Sequence, residues 1–405
     1  MKSIDKKLVC LSAFTLIICF AVITKYTKLL GGNMYDTSKI NKNGVKVINE
    51  IWGEPEEDPR CVMGYQLKTS GKPFFDRYVI LYGGRIVNRN CATNKFPDAQ
   101  LCNKTGLHLH YDDNVYKYYA QQSEKYLQPL RKKGIKVLMG LVPKDSGVCI
   151  GVIGSWPMED VWPWKQNNQD SEYPFGEKAV KAFAKEIAEE LKRLKLDGVG
   201  YDEEYGNIKS VYGPGPSAVY PEYFGQYEYY TDAKQKKAAW KRGGENVFRF
   251  AYQLNKEMPG VIQDMYEIHY GEYVPKELEI DNQTVKASDL FDISFEPYYG
   301  SWQANSNFLP RKKYGPISID IGSTSDGVKP ANTNYGIVQN MNDHLAGGYG
   351  VNMFYCLRSR DEMQSRFPKF FNRDEWKAEG YLTRISNVLF GEETIYNGID
   401  YPRLW

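Results

Sequence analysis

From Cys61 onward the chain alternates short apolar runs with amphipathic stretches, and this rhythm limits the available folds more than any other feature. The apolar runs are residues 61–67, 78–84, 135–142, 196–204, 261–269, 291–299, 316–322 and 349–357. Several are apolar nearly throughout, as strands covered on both faces should be. Between them lie helix-like stretches. Residues 177–195 place Val180, Phe183, Ala184, Ile187 and Leu191 on one face, and residues 114–134, 245–258, 335–348 and 374–391 follow the same rule. Strands alternating with helices imply a parallel sheet with right-handed crossovers. Spread over roughly 345 residues, these runs fit an α/β fold of the (β/α)8 TIM-barrel type with long insertions after strands 3 and 4. A doubly wound sheet usually carries a glycine-rich phosphate loop after its first strand, and "YQLKTSGKPF" is not one.

The two insertions are residues 143–176, with Trp156, Trp162 and Trp164, and residues 206–232, rich in tyrosine. In a barrel, the loops after the strands open on the C-terminal face, where active sites lie. Aromatic rings there suit a wet ligand with apolar C–H faces, although long loops also pack on themselves with such rings. The chain holds 32 Tyr and 8 Trp with a formal charge of only +2. Its acids and bases are interspersed, which excludes the basic footprint of a nucleic-acid binder. The basic run at 234–244 reads as a solvated helix face.

Residues 1–30 combine a basic start (Lys2, Lys6, Lys7) with an apolar run from Leu8 to Thr24. They are expected to be a signal peptide or a membrane or lipid anchor. "LIIC" at 16–19 resembles a loose lipoprotein box with Cys19 as the acylated residue, with Ile18 where a small residue is usual. Residues 31–59 read as a polar tether, and residues 60–405 as the barrel domain. The expectation is an exported, monomeric protein at a bacterial cell surface or in the periplasm, in contact with a membrane through its N-terminal segment only. Outside that segment, Cys61, Cys91, Cys102, Cys149 and Cys356 form no Cys-x-x-Cys pair, so no structural zinc site is expected. Cys91 and Cys102 flank a short loop that suits a disulfide in an oxidising compartment. His108 and His110 share a strand face and read as ordinary packing.

The fourth run, "LDGVGYDEEYG", ends on Asp202, Glu203 and Glu204. Three acids after a buried strand are costly unless solvated or put to use. On a strand, positions i and i+2 point the same way, roughly 6–7 Å apart. Asp202 and Glu204 therefore face the barrel mouth together while Glu203 faces away. Two acids on one face perturb each other, so that one stays ionised and the other can donate a proton near neutral pH. That is the chemistry of glycoside cleavage. Two carboxylates on one side of a bond do not flank it, so the nucleophile must come from elsewhere, and a 2-acetamido sugar carries one.

"LDGVGYDEEYG" resembles the D-G-x-D-x-D-x-E signature of glycoside hydrolase family 18, and "YDEEYG" is particularly similar to its endo-β-N-acetylglucosaminidases of the endoglycosidase H and F type. "GIKVLMGLV", "FEPYYGSWQ" and "GYGVNMFY" match at the third, sixth and eighth strands, in the same order and at similar spacing, over roughly residues 60 to 360. The resemblance implies retaining, substrate-assisted cleavage through an oxazolinium intermediate, without a cofactor or metal. It assigns Glu204 as the general acid/base. Asp202 holds the acetamido N–H, and Tyr298 bonds the acetamido carbonyl, with Tyr299 as its alternate. Tyr299, Trp302, Tyr266 and Tyr355 are expected to line the pocket. One position departs from the pattern. The family usually has an aspartate where this chain has Gly200, on the same inward face as Asp202. Without it Asp202 should ionise more readily, giving a slower or shifted pH–rate profile rather than loss of activity.

The leading expectation is therefore hydrolysis of the core GlcNAc-β1,4-GlcNAc bond of N-linked glycans, the partner being an N-linked or other GlcNAc-containing glycan. The alternatives are a chitinase-like hydrolase of chitin oligomers, disfavoured by "DEEY" in place of "DWE", and a catalytically weak surface glycan-binding protein, for which Gly200 speaks.

Overall fold

The computed structural model describes residues 38–90, 105–142, 177–202, 208–209, 228–229, 232–267, 273–296, 302, 308–321, 335–355, 378–399 and 401–405. The principal sheet runs β1 (Lys46–Gly53), β2 (Arg77–Asn90), β3 (Lys136–Val142), β4 (Gly198–Asp202), β5 (Ile262–Tyr266), β6 (Ile293–Phe295), β7 (Tyr314–Gly315 and Ser318–Asp320) and β8 (Val351–Tyr355). All pair in parallel, each with its sequence neighbour, and β8 returns to β1. The two halves of β7 pair with β6 and with β8 respectively, so the ladder closes on itself as a (β/α)8 barrel. Pro316 interrupts β7 because it has no N–H to give a ladder. Beyond the break, the Ser318 hydroxyl donates to the Glu296 carbonyl and keeps that acceptor satisfied.

The barrel has two apolar layers. Trp52, Val79, Leu81, Leu138, Val142, Tyr266, Ile293, Phe295, Val351 and Met353 fill its interior. A larger layer lies between the sheet and the helices. Helix α1 (Glu177–Leu194) buries Val180, Phe183, Ala184, Ile187 and Leu191, the face its sequence spacing predicts. Helix α2 (Ala233–Glu257) buries Val247, Phe248, Phe250, Ala251 and Leu254, while Lys234, Lys237 and Lys241 of the basic run are exposed. Helices α3 (Tyr335–Gly347) and α4 (Ala378–Leu389) pack on each other beside β8. The stretch expected as one helix over 114–134 is instead a series of short helical turns, the last opening with Pro129 just inside its start.

The first strand differs from its sequence-based assignment. Residues 31–59 are not a tether throughout, because Lys46–Gly53 is the first barrel strand, hydrogen-bonded on both sides. Polar Asn49 and Glu50 disguise it, yet both are fully buried. Asn49 donates to the Phe74 carbonyl at 2.9 Å and accepts from Asn352 at 3.0 Å. Residues 61–67 lie outside the barrel. Asp58 caps a helical turn over Pro59–Gly64, and Tyr65–Leu67 then pairs antiparallel with Thr394–Tyr396. The second strand is longer than expected: beyond the barrel it forms a hairpin in which residues 85–90 pair antiparallel with Thr105–His110. The insertion at 143–176 lies outside the described residues. Of the second insertion, Ile208–Lys209 pairs antiparallel with Glu228–Tyr229.

Candidate active site

Successive inward residues on neighbouring strands stack in layers down a barrel. Two layers define the site. In the deeper one, Glu50 of β1 is in register with Arg77 of β2, and Gly200 of β4 with Asp264 of β5. Two residues further along each strand, toward the C-terminal mouth, Trp52 is in register with Val79 and Tyr355, and Asp202 with Tyr266.

The deeper layer is a closed electrostatic unit. Arg77 forms an ion pair with Asp264 and approaches Asp292 at 3.7 Å. Burial opposes the Arg77 charge, but Asp264, and then Asp292, overcome it and hold the guanidinium firmly protonated. Burial, reinforced by the adjacent Asp264, pushes the Glu50 carboxyl well above the usual range. Glu50 therefore keeps its proton and shares it with Asp264, which remains the anion opposite Arg77. The other Glu50 oxygen accepts the Trp52 indole N–H at 2.6 Å, which fixes the ring at the base of the layer above.

That upper layer is aromatic around one acid. Asp202 ends β4 and is only 4% exposed. Tyr266, its register partner, lies 6.0 Å from Trp52 and 5.5 Å from Phe295 between ring centroids. Tyr355 is half-buried against the same cluster, and its hydroxyl donates to Glu54 at the end of β1. Buried acids also follow the next two strands. Glu267 lies beyond β5, and Glu296 beyond β6 accepts from the Tyr314 hydroxyl.

Gly200 gains a physical explanation. A Cβ at that position would meet Trp52 at 2.8 Å and 3.0 Å, and Val79 at 3.0 Å. The indole occupies the room that an inward carboxylate would need. The sequence shows the missing acid but not the ring that replaces it, because that ring comes from a strand hidden by its own polar residues.

The structure thus brings Asp202, Tyr266 and Tyr355 together at the C-terminal layer. Trp302 is not with them. It packs edge-on against Tyr349 at 5.6 Å, two residues before β8 begins and at the opposite end of that strand from Tyr355. Its large apolar ring is used in the outer layer, which corrects the pocket-lining expectation. Glu204, Tyr298, Tyr299 and Cys19 lie outside the described residues. Sequence reasoning missed Trp52, although the alternation in "KVINEIWG" carries its signal.

No family model matches the chain. Two curated sequences do resemble it. Endo-beta-N-acetylglucosaminidase F1 of Elizabethkingia meningoseptica is 23% identical over 350 residues, covering 86% of this chain and 80% of that protein. An endo-beta-N-acetylglucosaminidase of Flavobacterium sp. (strain SK1022) is 21% identical over 272 residues, covering 67% of this chain and 62% of that protein. Among solved structures, Bacteroides thetaiotamicron EndoBT-3987 with Man5GlcNAc product superposes with a TM-score of 0.58 at 20% identity, covering 92% of this chain and 66% of that one. The same enzyme with Man9GlcNAc2Asn substrate gives 0.57 at 20% identity, covering 89% and 69%. These structures share the fold. The chain spans about two thirds of EndoBT-3987 and somewhat less of the Flavobacterium protein.

Proposed function

We infer that this chain is a glycoside hydrolase of the family 18 type, an endo-β-N-acetylglucosaminidase that hydrolyses the GlcNAc-β1,4-GlcNAc bond in the core of N-linked glycans. The observation that carries this reading is Asp202, a buried carboxylate at the C-terminal end of the fourth strand of a closed barrel. The chain's curated relatives bear that activity in their names.

In the proposed reaction, Glu204 gives its proton to the glycosidic oxygen as the C1–O bond breaks. The carbonyl oxygen of the substrate's own 2-acetamido group attacks C1 from the other face, and Tyr298 donates a hydrogen bond to that oxygen to orient it. Asp202 accepts the acetamido N–H and balances the positive charge of the oxazolinium ring, an interaction strengthened by its burial. Glu204, now ionised, takes a proton from water as the water opens the ring at C1, so the configuration is retained. Tyr266 and Tyr355 line the pocket over the indole of Trp52. The EndoBT-3987 complexes make a high-mannose glycan the first substrate to test. Residues 1–30 are proposed to export the chain to the cell surface or periplasm and to provide its membrane contact, with Cys19 as the acylation site. That proposal rests on their basic start and apolar run.

The test is to incubate the chain lacking residues 1–30 with a high-mannose N-glycoprotein and with chitin oligomers, beside a Glu204→Gln variant, and to weigh the products. Glycans released with one N-acetylglucosamine, its partner left on asparagine, and no release by the variant are the expected result. Cleavage of chitin oligomers alone selects the chitinase reading, and binding without cleavage selects a glycan-binding protein.

A further inference from the structure

Four non-glycine residues have positive φ among the described residues: Tyr82, Lys195, Asp281 and Asn282. Three of them have local explanations. Lys195 closes the C-terminus of α1, and Asp281 and Asn282 form the two-residue turn between antiparallel strands Glu277–Ile280 and Gln283–Lys286. Tyr82, at φ 55, lies inside a strand, where an aromatic L-residue in this conformation crowds its own backbone.

The cause is a bulge. Ile80 is in register with Met139 and Gly84 with Leu141. Strand β2 therefore advances four residues while β3 advances two, and the extra chain is extruded at Tyr82, just past the barrel mouth. The residues that follow leave little room for a side chain. A Cβ on Gly83 would meet the Ile80 carbonyl at 2.8 Å, and one on Gly84 would meet Leu109 at 2.6 Å and Met139 at 2.7 Å. Glycine stands where the bulge is tightest. At the position where the backbone itself favours glycine, the chain instead carries tyrosine. Strain kept where the sequence could release it points to use of the side chain. The Tyr82 ring is half-buried and packs against the interior cluster that contains Trp52, Leu81 and Tyr266.

We propose that Tyr82 is a substrate-binding residue, presented by the bulge so that its ring packs against the apolar C–H face of a pyranose of the glycan bound at the Asp202 mouth. This inference rests on the glycan-hydrolase reading and adds a contact on β2 to it. A ring contact of this kind corresponds to about a three- to tenfold change in affinity.

The proposal is tested with Tyr82→Gly, Tyr82→Asn and Tyr82→Phe, measuring kcat and KM on a high-mannose N-glycopeptide, and Tm. Glycine and asparagine accept positive φ, so both variants should keep Tm within a few degrees, because released strain offsets lost packing. Their KM should rise about three- to tenfold, with kcat nearly unchanged, while Tyr82→Phe keeps the wild-type KM. Wild-type KM in Tyr82→Gly and Tyr82→Asn, or a large fall in Tm without a change in KM, assigns the ring to packing and overturns the inference. If the wild-type chain releases no glycan, the hydrolase reading fails separately, and calorimetric titration with the glycopeptide decides. Weaker binding by Tyr82→Gly then still supports the contact, and equal or absent binding by both proteins overturns it.

Discussion

Asp264 and Asp202 lie on adjacent strands, one layer apart in the same barrel, and both are buried. Their surroundings give them different work. Asp264 is answered by the Arg77 guanidinium and by the proton on Glu50, so its layer is locked and its charge neutralised. Asp202 ends its strand in the layer nearer the mouth, in register with Tyr266, whose ring packs on Trp52 and Phe295; in the proposed reaction Asp202 faces the oxazolinium ring. Under the proposed reaction the two carboxylates divide the work: Asp264 holds the barrel interior together, and Asp202 meets the ligand. Trp52 joins the two layers: its N–H is held below and its face forms the floor above.

The largest effect is expected for Asp202→Asn. It should lower kcat by about 10²–10⁴-fold while the unfolding midpoint stays put, because only the reacting group loses its counter-charge. Asp264→Ala should do the reverse. Leaving Arg77 buried without its main anion costs about 3–5 kcal/mol in urea unfolding, with turnover per folded molecule retained.

A third buried titratable group sharpens the contrast from outside the barrel. His344 donates from Nε2 to the Val351 carbonyl at 2.9 Å and packs beside Tyr349. Burial lowers its pKa to about 4. The unfolded chain therefore binds the extra proton between pH 6.5 and about 4, and stability from this residue is full above pH 6.5 and lost as pH falls through that window. The loss on going from pH 7 to pH 4 is about 3 kcal/mol, and urea titrations at the two pH values should show that difference diminished in His344→Gln.

The smallest effect concerns Gly200. Because the position abuts Trp52 and Val79, Gly200→Asp alone should destabilise the fold by about 1–3 kcal/mol through overpacking. Coupled with Trp52→Leu, which opens room, the new acid should raise the Asp202 pKa and move the acid limb of the pH–rate profile upward. An unmoved limb in the double variant would show that the carboxylates do not interact.

Much of this architecture is legible in the sequence. The alternation of apolar runs and helical faces specifies the closed barrel, and the paired acids after the fourth run point to its mouth. What escaped was physically hidden. Strand β1 carries Asn49 and Glu50 in its middle, residues that look solvated until Asn352, Phe74 and Trp52 answer them across the barrel. The sequence neighbours of Trp302 suggest a pocket wall, yet its ring partner is Tyr349, encoded far along the chain. Tyr82 reads as an ordinary strand aromatic, since only the backbone angle reveals its strain.

In the proposed reaction the upper layer cleaves a glycan with the substrate's acetamido group as nucleophile, both carboxylates serving from one side. Proton NMR of the sugar released in the first minutes from a high-mannose N-glycopeptide tests it most directly. The new reducing end should appear first as the β anomer and then mutarotate. An α anomer appearing first would mean direct attack by water and would contradict it.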